Sequence, residues 1–162
     1  MQNWQHDQAY REIVDGLLAE PSVQHLSDYI QHHHTDRLTH SISVSYRSYR
    51  IAKRLHLNAT AVARAGILHD LFYYDWRETK FESGNHAYIH PRIALRNAER
   101  LTPLSPMERD IILKHMWGVT AALPKYRESL LVDIVDDYVA VTEFFIPTKR
   151  RVKNILSHVK NH

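Results

Sequence analysis

The chain has 162 residues, of which 44% are hydrophobic and 24% charged, and this composition predicts one globular domain over residues 1–162. The absence of cysteine excludes disulfides and thiolate metal sites and favours a reducing, cytoplasmic location. No apolar run reaches the ~18 residues that a membrane span needs, and residues 1–7 lack an export signal. A net charge of +3 from dispersed basic residues is a poor footprint for nucleic-acid binding.

The spacing of apolar residues predicts an all-α fold, in agreement with only four glycines and six prolines. A lead-in helix is expected over residues 6–19. A second segment over residues 23–31 continues the helical pattern and ends in His32, His33 and His34. We interpret this triplet as a solvated junction, although one of its members could reach the rim of a site.

The next helix is predicted to begin after a cap at Thr35 or Asp36 and to run to about residue 55. His40 shares one of its faces with Val44 and other residues expected in the core. A lone histidine in such a stripe is usually a core residue. Whether His40 is instead a metal ligand depends on the order and spacing of the other histidines.

A helix over about residues 59–71 ends in an apolar segment that is followed by His69 and Asp70. Two adjacent polar side chains at the end of a buried helix are costly unless a partner such as a metal ion satisfies both. Ala61 and Ala65 align with His69 at helical spacing. Small side chains on that stripe would let the preceding helix approach closely.

The aromatic segment 71–76 is expected to form a lid over the core, with base stacking as the alternative. Pro91 suits the first position of a helix over 91–101, which would place His90 at its N-cap. His86 precedes His90 by four residues, and we assign it to substrate contact or to support of a ligand.

Two further helices complete the predicted core. A capping box and proline at Ser105 begin a helix that carries His115 and ends near Gly118. The last large helix, over about 128–145, places Asp136 among apolar residues on its buried face. A lone carboxylate there would be costly.

The neighbours of Asp136 are assigned differently. Asp133 and Asp137 lie on other faces of the same helix and are expected to be solvated. Pro147 is expected to end the helix. Residues 149–162, with apolar residues at helical spacing, are predicted to form a separate terminal docking helix.

The order of these residues, H…HD…H…H…D, resembles the HD-domain superfamily of metal-dependent phosphohydrolases over residues 31–145. The resemblance implies an all-α HD-domain helical bundle with a central metal site. The implied metal ligands are His40, His69, Asp70, His90, His115 and Asp136.

Six ligands of this kind suit two ions, and the two oxygens of Asp70 make it the natural bridge. His40, His69 and Asp136 would complete one site, and His90 and His115 would hold the second. Imidazole and carboxylate accept one or two divalent ions, with iron or manganese favoured and zinc, cobalt, nickel or magnesium possible.

The resemblance also implies hydrolysis of a small phosphorylated substrate, a nucleotide phosphoester or phosphoanhydride, with Asp70 and His69 at the catalytic centre. Its spacing is similar to that of HD proteins that cleave diadenosine tetraphosphate. One departure is Tyr73, which stands where HDIGK-type phosphodiesterases carry lysine. The candidates for substrate contact are His86, Lys114, Arg47 and Arg92.

Two alternatives remain open from the sequence. HD-type di-iron oxygenases use the same ligand set to activate oxygen rather than water. A non-catalytic basic module that binds nucleic acid is the other. The oligomeric state is not predicted.

Overall fold

The structure is a computed structural model that describes residues 3–32, 35–81 and 84–159, with side chains left out for His32 and for 146–159. The all-α prediction is confirmed: within the described ranges the chain forms helices and one two-stranded antiparallel ribbon. The helices are α1 (Gln8–Leu18), α2 (Pro21–Gln24), α3 (Arg37–Arg54), α4 (Ala59–Leu68), α5 (His86–Leu101), α6 (Pro106–Lys114) and α7 (Arg127–Val159). The ribbon pairs β1 (Ile30–His32) with β2 (Thr35–Asp36), and short 3₁₀ turns cover Trp4–His6 and His25–Asp28.

Helix α4 lies at the centre of the bundle, because it contacts α1, α3, α5, α6 and α7. Its residues are buried nearly all round, including Val62, Ala65, Ile67 and Leu68. A helix that is apolar on every side must be surrounded by other elements. The residues that follow its C-terminal end are therefore delivered into the interior of the bundle.

Helix α3 packs closely against α4, as predicted, but the close approach is at Gly66, which is not part of the predicted stripe of Ala61 and Ala65. A Cβ atom at Gly66 would lie only 2.6 Å from the Cα of Ser45 on α3. The Ser45 hydroxyl also donates to the Ala63 carbonyl at 2.6 Å, which ties the two helices together. This close approach places the His40 side of α3 beside the end of α4.

Gly66→Ala is therefore expected to lower the free energy of unfolding by about 1–3 kcal/mol, because backbone atoms cannot move aside for the added methyl group. Gly16→Ala is the matched control, since a Cβ there meets nothing within 4 Å in the middle of α1. That substitution should raise stability by about 0.5–1 kcal/mol. Urea unfolding of both variants measures the contrast, and equal effects would contradict the close packing.

Three predicted helix starts are confirmed by their caps. The Asp36 carboxylate accepts from the Thr39 amide at 2.8 Å, and the Asn58 side chain accepts from Ala61 at 3.0 Å. Ser105 and Glu108 form the reciprocal capping box of α6. These caps satisfy exposed amides locally, so they need no tertiary partner to form.

Several predicted helix boundaries are wrong. Helix α5 begins at His86, capped by Asn85, so Pro91 lies inside the helix and His90 is not its N-cap. Interior proline removes only one backbone hydrogen bond, which the surrounding helix tolerates here. For the same reason α7 continues through Pro147 as one helix and residues 149–159 do not form a separate one. Helix α6 ends earlier than predicted, at Lys114.

The segment over residues 23–31 is also not one helix. It forms the end of α2, a 3₁₀ turn and β1, and only His32 of the histidine triplet falls in described backbone. His33 and His34 lie outside the described residues, as do residues 160–162. No helix in the described part of the chain is both long and apolar enough to cross a membrane.

Candidate metal centre

Six buried side chains converge where the helix ends meet, and they are the six predicted ligands. Helices α3, α5 and α7 each contribute one of them, His69 and His115 cap the C-termini of α4 and α6, and Asp70 follows His69. Their exposed fractions run from 0% to 9%: His40, His69, Asp70, His90, His115 and Asp136. The order of these residues is visible in the sequence, but their convergence on one centre is visible only in the structure.

The first group joins α3, α4 and α7. His40 Nε2 lies 2.8 Å from Asp136 Oδ1, and His69 Nε2 lies 3.6 Å from the same oxygen. The three ligand atoms are close enough for one metal ion to contact all of them. Ligand bonds of ~2.0–2.2 Å allow two ligands of one ion to be up to about 4 Å apart.

The second group centres on Asp70. Its Oδ1 lies 3.4 Å from His90 Nε2 and 3.6 Å from His115 Nε2. Its Oδ2 lies 3.7 Å from His69 Nε2. One carboxylate thus directs its two oxygens toward different histidines, which is the arrangement that a bridging ligand requires.

Each histidine of the cluster has its outer nitrogen occupied. Nδ1 of His69, His90 and His115 donates to the backbone carbonyls of Gly66, His86 and Ile112, at 2.9, 2.9 and 2.7 Å. Nδ1 of His40 lies 3.0 Å from a Glu143 oxygen. A neutral imidazole that donates from Nδ1 leaves a lone pair on Nε2, so His69, His90 and His115 can each direct an acceptor toward the centre when neutral, whereas Nε2 of His40 contacts the Asp136 carboxylate.

This arrangement fits a metal ion and is costly without a cation. Among the described residues, the buried Nε2 of His69 has no hydrogen-bond partner. The Nε2 atoms of His90 and His115 lie only 2.7 Å apart, although both rings donate from Nδ1. Two facing lone pairs repel each other unless a proton or a metal ion lies between them.

The electrostatics of the two groups differ. Burial alone would lower the pKa of His40, but hydrogen bonds to Asp136 and Glu143 raise it to about 10. Burial lowers the pKa of His90 to about 4 and that of His115 to about 3. These two imidazoles therefore stay neutral at pH 7, the state in which histidine binds metal.

The carboxylates of the cluster remain ionised. Burial would raise the pKa of Asp70 and Asp136, but the surrounding imidazoles outweigh it and hold both pKa values below the usual range. Both side chains are thus anionic and available as metal ligands across the physiological pH range.

These shifts predict how the stability of the metal-free protein depends on pH. Unfolding returns His90 and His115 to an ordinary pKa near 6.5, so below that pH the unfolded chain binds protons that the folded chain does not. The free energy of unfolding should therefore fall as pH drops from about 6.5 toward 4. His40 adds no slope there, because it is protonated in both states below about pH 6.

Denaturant unfolding of chelator-treated protein at a series of pH values measures this dependence. The His115→Ala variant should show a shallower slope between pH 6.5 and 4. Identical slopes for the wild type and for His115→Ala would contradict neutral, buried imidazoles.

Comparison with known proteins identifies the fold. The family model of the HD domain matches residues 37–141, more than half of the chain. The chain belongs to the HD-domain family. All six clustered residues fall inside the match, and HD domains bind divalent metal ions. No curated protein and no solved structure matched the chain.

Sequence reasoning missed two residues that hold the ligands of this HD domain in place. Gln31 donates from Nε2 to Asp70 Oδ2 at 2.5 Å, and its own oxygen accepts from the buried Arg37 at 2.8 Å. Arg37 in turn donates to the Phe72 carbonyl. Helical spacing does not identify Gln31 as a partner of Asp70, because Gln31 lies in the β-ribbon.

Glu143, two helical turns after Asp136 on α7, is a third residue to which the sequence analysis gave no role. Its contact with His40 orients that ring. Asp133, predicted to be solvated, is buried instead, because the loop after α6 crosses it and the Trp117 amide donates to its carboxylate at 3.0 Å. Asp137 is exposed, as predicted.

One of the four candidates for substrate contact lies against the HD cluster. The His86 ring stacks on His90 with centroids 4.3 Å apart and planes 19° apart. The His86 ring also stacks with the Trp76 ring, with centroids 5.5 Å apart. Its Nδ1 lies 3.2 Å from the Tyr74 hydroxyl oxygen. Burial lowers the pKa of His86, so this ring is neutral as well.

The structure gives the other three candidates partners outside the cluster. Lys114 donates to the Leu123 carbonyl, and the exposed Arg92 stacks over the Tyr88 ring. Arg47 lies over the Tyr138 ring and lines a groove of about 780 Å³ that also includes Glu143. Their assignment to substrate remains a prediction.

Proposed function

We propose that this HD domain is a metal-dependent phosphohydrolase acting on a small phosphorylated substrate, with nucleotides as the preferred class. The observation that carries the proposal is the convergence of four imidazole Nε2 atoms and two ionised carboxylates on one buried centre. Such a set of oxygen and nitrogen ligands is suited to divalent transition metals. The family match supports the same chemistry.

In this proposal His40, His69 and Asp136 would hold one ion, His90 and His115 would hold a second, and Asp70 would contribute to both sites. Iron or manganese is the preferred ion. Bound divalent ions supply an activated water and polarise a phosphoryl oxygen. The chain itself keeps each ligand in the protonation state that metal binding requires, and it holds the ligand side chains in position around the centre.

The rings beside the second group supply a place for the substrate. If the Tyr74 hydroxyl donates to Nδ1 of His86, then Nε2 of His86 carries a proton that can be donated to a phosphate oxygen. Trp76 forms the outer end of the stack and is partly exposed, so its ring offers a surface for a nucleobase. These two features support a nucleotide rather than inorganic phosphate alone.

The test begins with protein purified without chelators. Elemental analysis should find one to two divalent ions per chain, and phosphate release should be assayed with nucleoside mono-, di- and triphosphates, diadenosine tetraphosphate and a nitrophenyl phosphodiester. At least one of these should be hydrolysed, and chelation should abolish the reaction. Metal-loaded protein that hydrolyses none of them but consumes oxygen with a reductant would favour the di-iron oxygenase, and metal-free protein that binds nucleic acid would favour the binding module.

His86→Ala and Trp76→Ala separate substrate contact from metal binding. Both variants should retain the metal content of the wild type while KM for the hydrolysed nucleotide rises. Loss of metal in either variant would instead assign these rings to support of the ligands.

A further inference from the structure

The buried Arg37, at the start of α3, has no carboxylate as a direct partner in the described part of the chain. Its guanidinium donates to neutral oxygens instead: Gln31 Oε1 at 2.8 Å, the Phe72 carbonyl at 2.6 Å and the Tyr74 carbonyl at 3.2 Å. Burial lowers the pKa of Arg37, and the charge of Asp70 opposes that shift most strongly. A buried cation is costly without an opposite charge, so the link to Asp70 needs an explanation.

Gln31 connects this cation to the metal centre. Its amide nitrogen donates to Asp70 Oδ2 at 2.5 Å, while its oxygen accepts from Arg37 Nε at 2.8 Å. A flipped amide would direct its oxygen at the carboxylate and its N–H groups at the guanidinium, so only this orientation satisfies both neighbours. The position of the guanidinium therefore sets the direction of the carboxylate oxygen that faces His69.

The other two arms of the guanidinium hold the aromatic segment 71–76, which follows the metal ligands without forming a helix or strand. The guanidinium carbon also lies 3.6 Å from the centroid of the Phe72 ring. Within this segment, the Tyr74 hydroxyl contacts His86 and the Trp76 ring stacks on it. Because a guanidinium is planar and its donors are rigidly spaced, one group fixes both carbonyls relative to the amide.

We propose that Arg37 is a positioning residue that couples the metal centre to the aromatic segment. A metal ion bound at Asp70 fixes Gln31 and then the guanidinium, which in turn holds the two carbonyls of the segment. Coupling between two sites is reciprocal, so a held segment also strengthens metal binding. The consequence for substrate contact by Tyr74 and Trp76 rests on the proposed function, whereas the coupling itself can be measured without hydrolysis.

A second route joins the metal centre to the same segment, and the test has to separate the two. The His90 ring stacks on His86, which stacks on Trp76. Gln31 takes no part in this stack. Gln31→Met removes the amide but keeps an unbranched side chain, so it interrupts only the route through Arg37.

Trypsin reports on the aromatic segment, because Arg77 and Lys80 are exposed just beyond it and cleavage there requires local opening. Saturating Mn²⁺ should slow cleavage of the wild type after these residues by about fivefold or more relative to chelator-treated protein. Cleavage after Arg50, inside α3, is the internal control for global unfolding. In Gln31→Met the ion should give little of this protection. Equal protection in the two proteins, or none in the wild type, would overturn the coupling.

Mn²⁺ affinity measures the coupling in the other direction. Gln31→Met and Arg37→Lys should each raise the Kd of the chelator-treated full chain for Mn²⁺ by about 10–100-fold, because either change releases Asp70. The double variant should match Gln31→Met alone, since Arg37 acts on the metal centre through Gln31. Two effects that multiply, or an Arg37→Lys protein with wild-type affinity, would overturn the proposal.

Arg64→Lys is the matched control for the arginine substitution. Arg64 donates to Glu108 at 2.6 Å and to Thr102 and the Pro103 carbonyl at 3.2 Å, and none of these belongs to the metal centre. This variant should keep the wild-type Mn²⁺ affinity and the wild-type protection from trypsin. A loss of either one would show that any buried arginine contact has the same effect, which would overturn a specific role for Arg37.

Circular dichroism verifies that each variant is folded. If Arg37→Lys is not, Gln31→Met decides the outcome by both measurements. It must lose Mn²⁺ affinity and must also lose the protection of the aromatic segment by metal. Retention of either property would overturn the proposal.

Discussion

Asp70→Ala is expected to abolish phosphohydrolase activity and to lower the metal content to less than one ion per chain. The carboxylate faces His90 and His115 with one oxygen and His69 with the other, so its removal weakens both proposed sites at once. Loss of supporting contacts to a ligand typically costs 10–100-fold in metal affinity or activity, and loss of the ligand itself should cost more than about 100-fold.

Elemental analysis and phosphate release on the same preparation measure both effects. Asp137→Ala is the matched control, because Asp137 lies next to Asp136 in sequence but is exposed. It should keep its metal. Asp133 is unsuitable as a control, since it is buried and binds the Trp117 amide. An Asp70→Ala protein with full metal loading and normal turnover would remove Asp70 from the site.

His90→Ala and His115→Ala should each leave a folded protein with one metal ion per chain. Both rings face the Asp70 oxygen that lies away from His69, and neither belongs to the group formed by His40, His69 and Asp136. Removing one imidazole should therefore empty the second site and leave the first. Activity should fall by about 100-fold or more if both ions take part in hydrolysis.

Circular dichroism verifies folding, and metal per chain is determined for each variant and for His25→Ala. His25 is exposed and contacts Asp28, Tyr29 and Tyr73, none of which is fully buried, so its variant should match the wild type. If the wild type and both cluster variants hold the same single ion per chain, His90 and His115 are structural. A site with a single ion held by His40, His69, Asp70 and Asp136 would then replace the dinuclear one.

The parts of the fold that depend on neighbouring residues were predictable from the sequence. Asp36, Asn58 and Ser105 each cap a helix through a hydrogen bond to an amide three residues away. Helical periodicity likewise predicted the burial of His40 and Asp136. These features follow from local geometry, which is the same whatever the rest of the chain does.

Local rules failed where a competing local signal or the packing of the whole helix decided the outcome. Pro91 and Pro147 are strong boundary signals, yet both lie inside helices whose other residues outweigh one missing hydrogen bond. Asp133 lies on a face of α7 that seemed free, but a loop from a distant part of the sequence covers it.

By itself, the sequence determined the helical class, most helix starts, the HD family and the order of the six clustered residues, because each of these depends on residue type and short spacing. Only the tertiary structure decided that Asp70 directs its oxygens to different histidines and that Gln31 and Glu143 hold Asp70 and His40. Most of these contacts join residues that are far apart in the sequence: Gln31 and Asp70 are 39 positions apart, and His40 and Glu143 are 103 positions apart. The exceptions are the contacts of Asp70 with the adjacent His69 and with His90. Their geometry is set by how whole helices pack, and no periodicity along the chain encodes it.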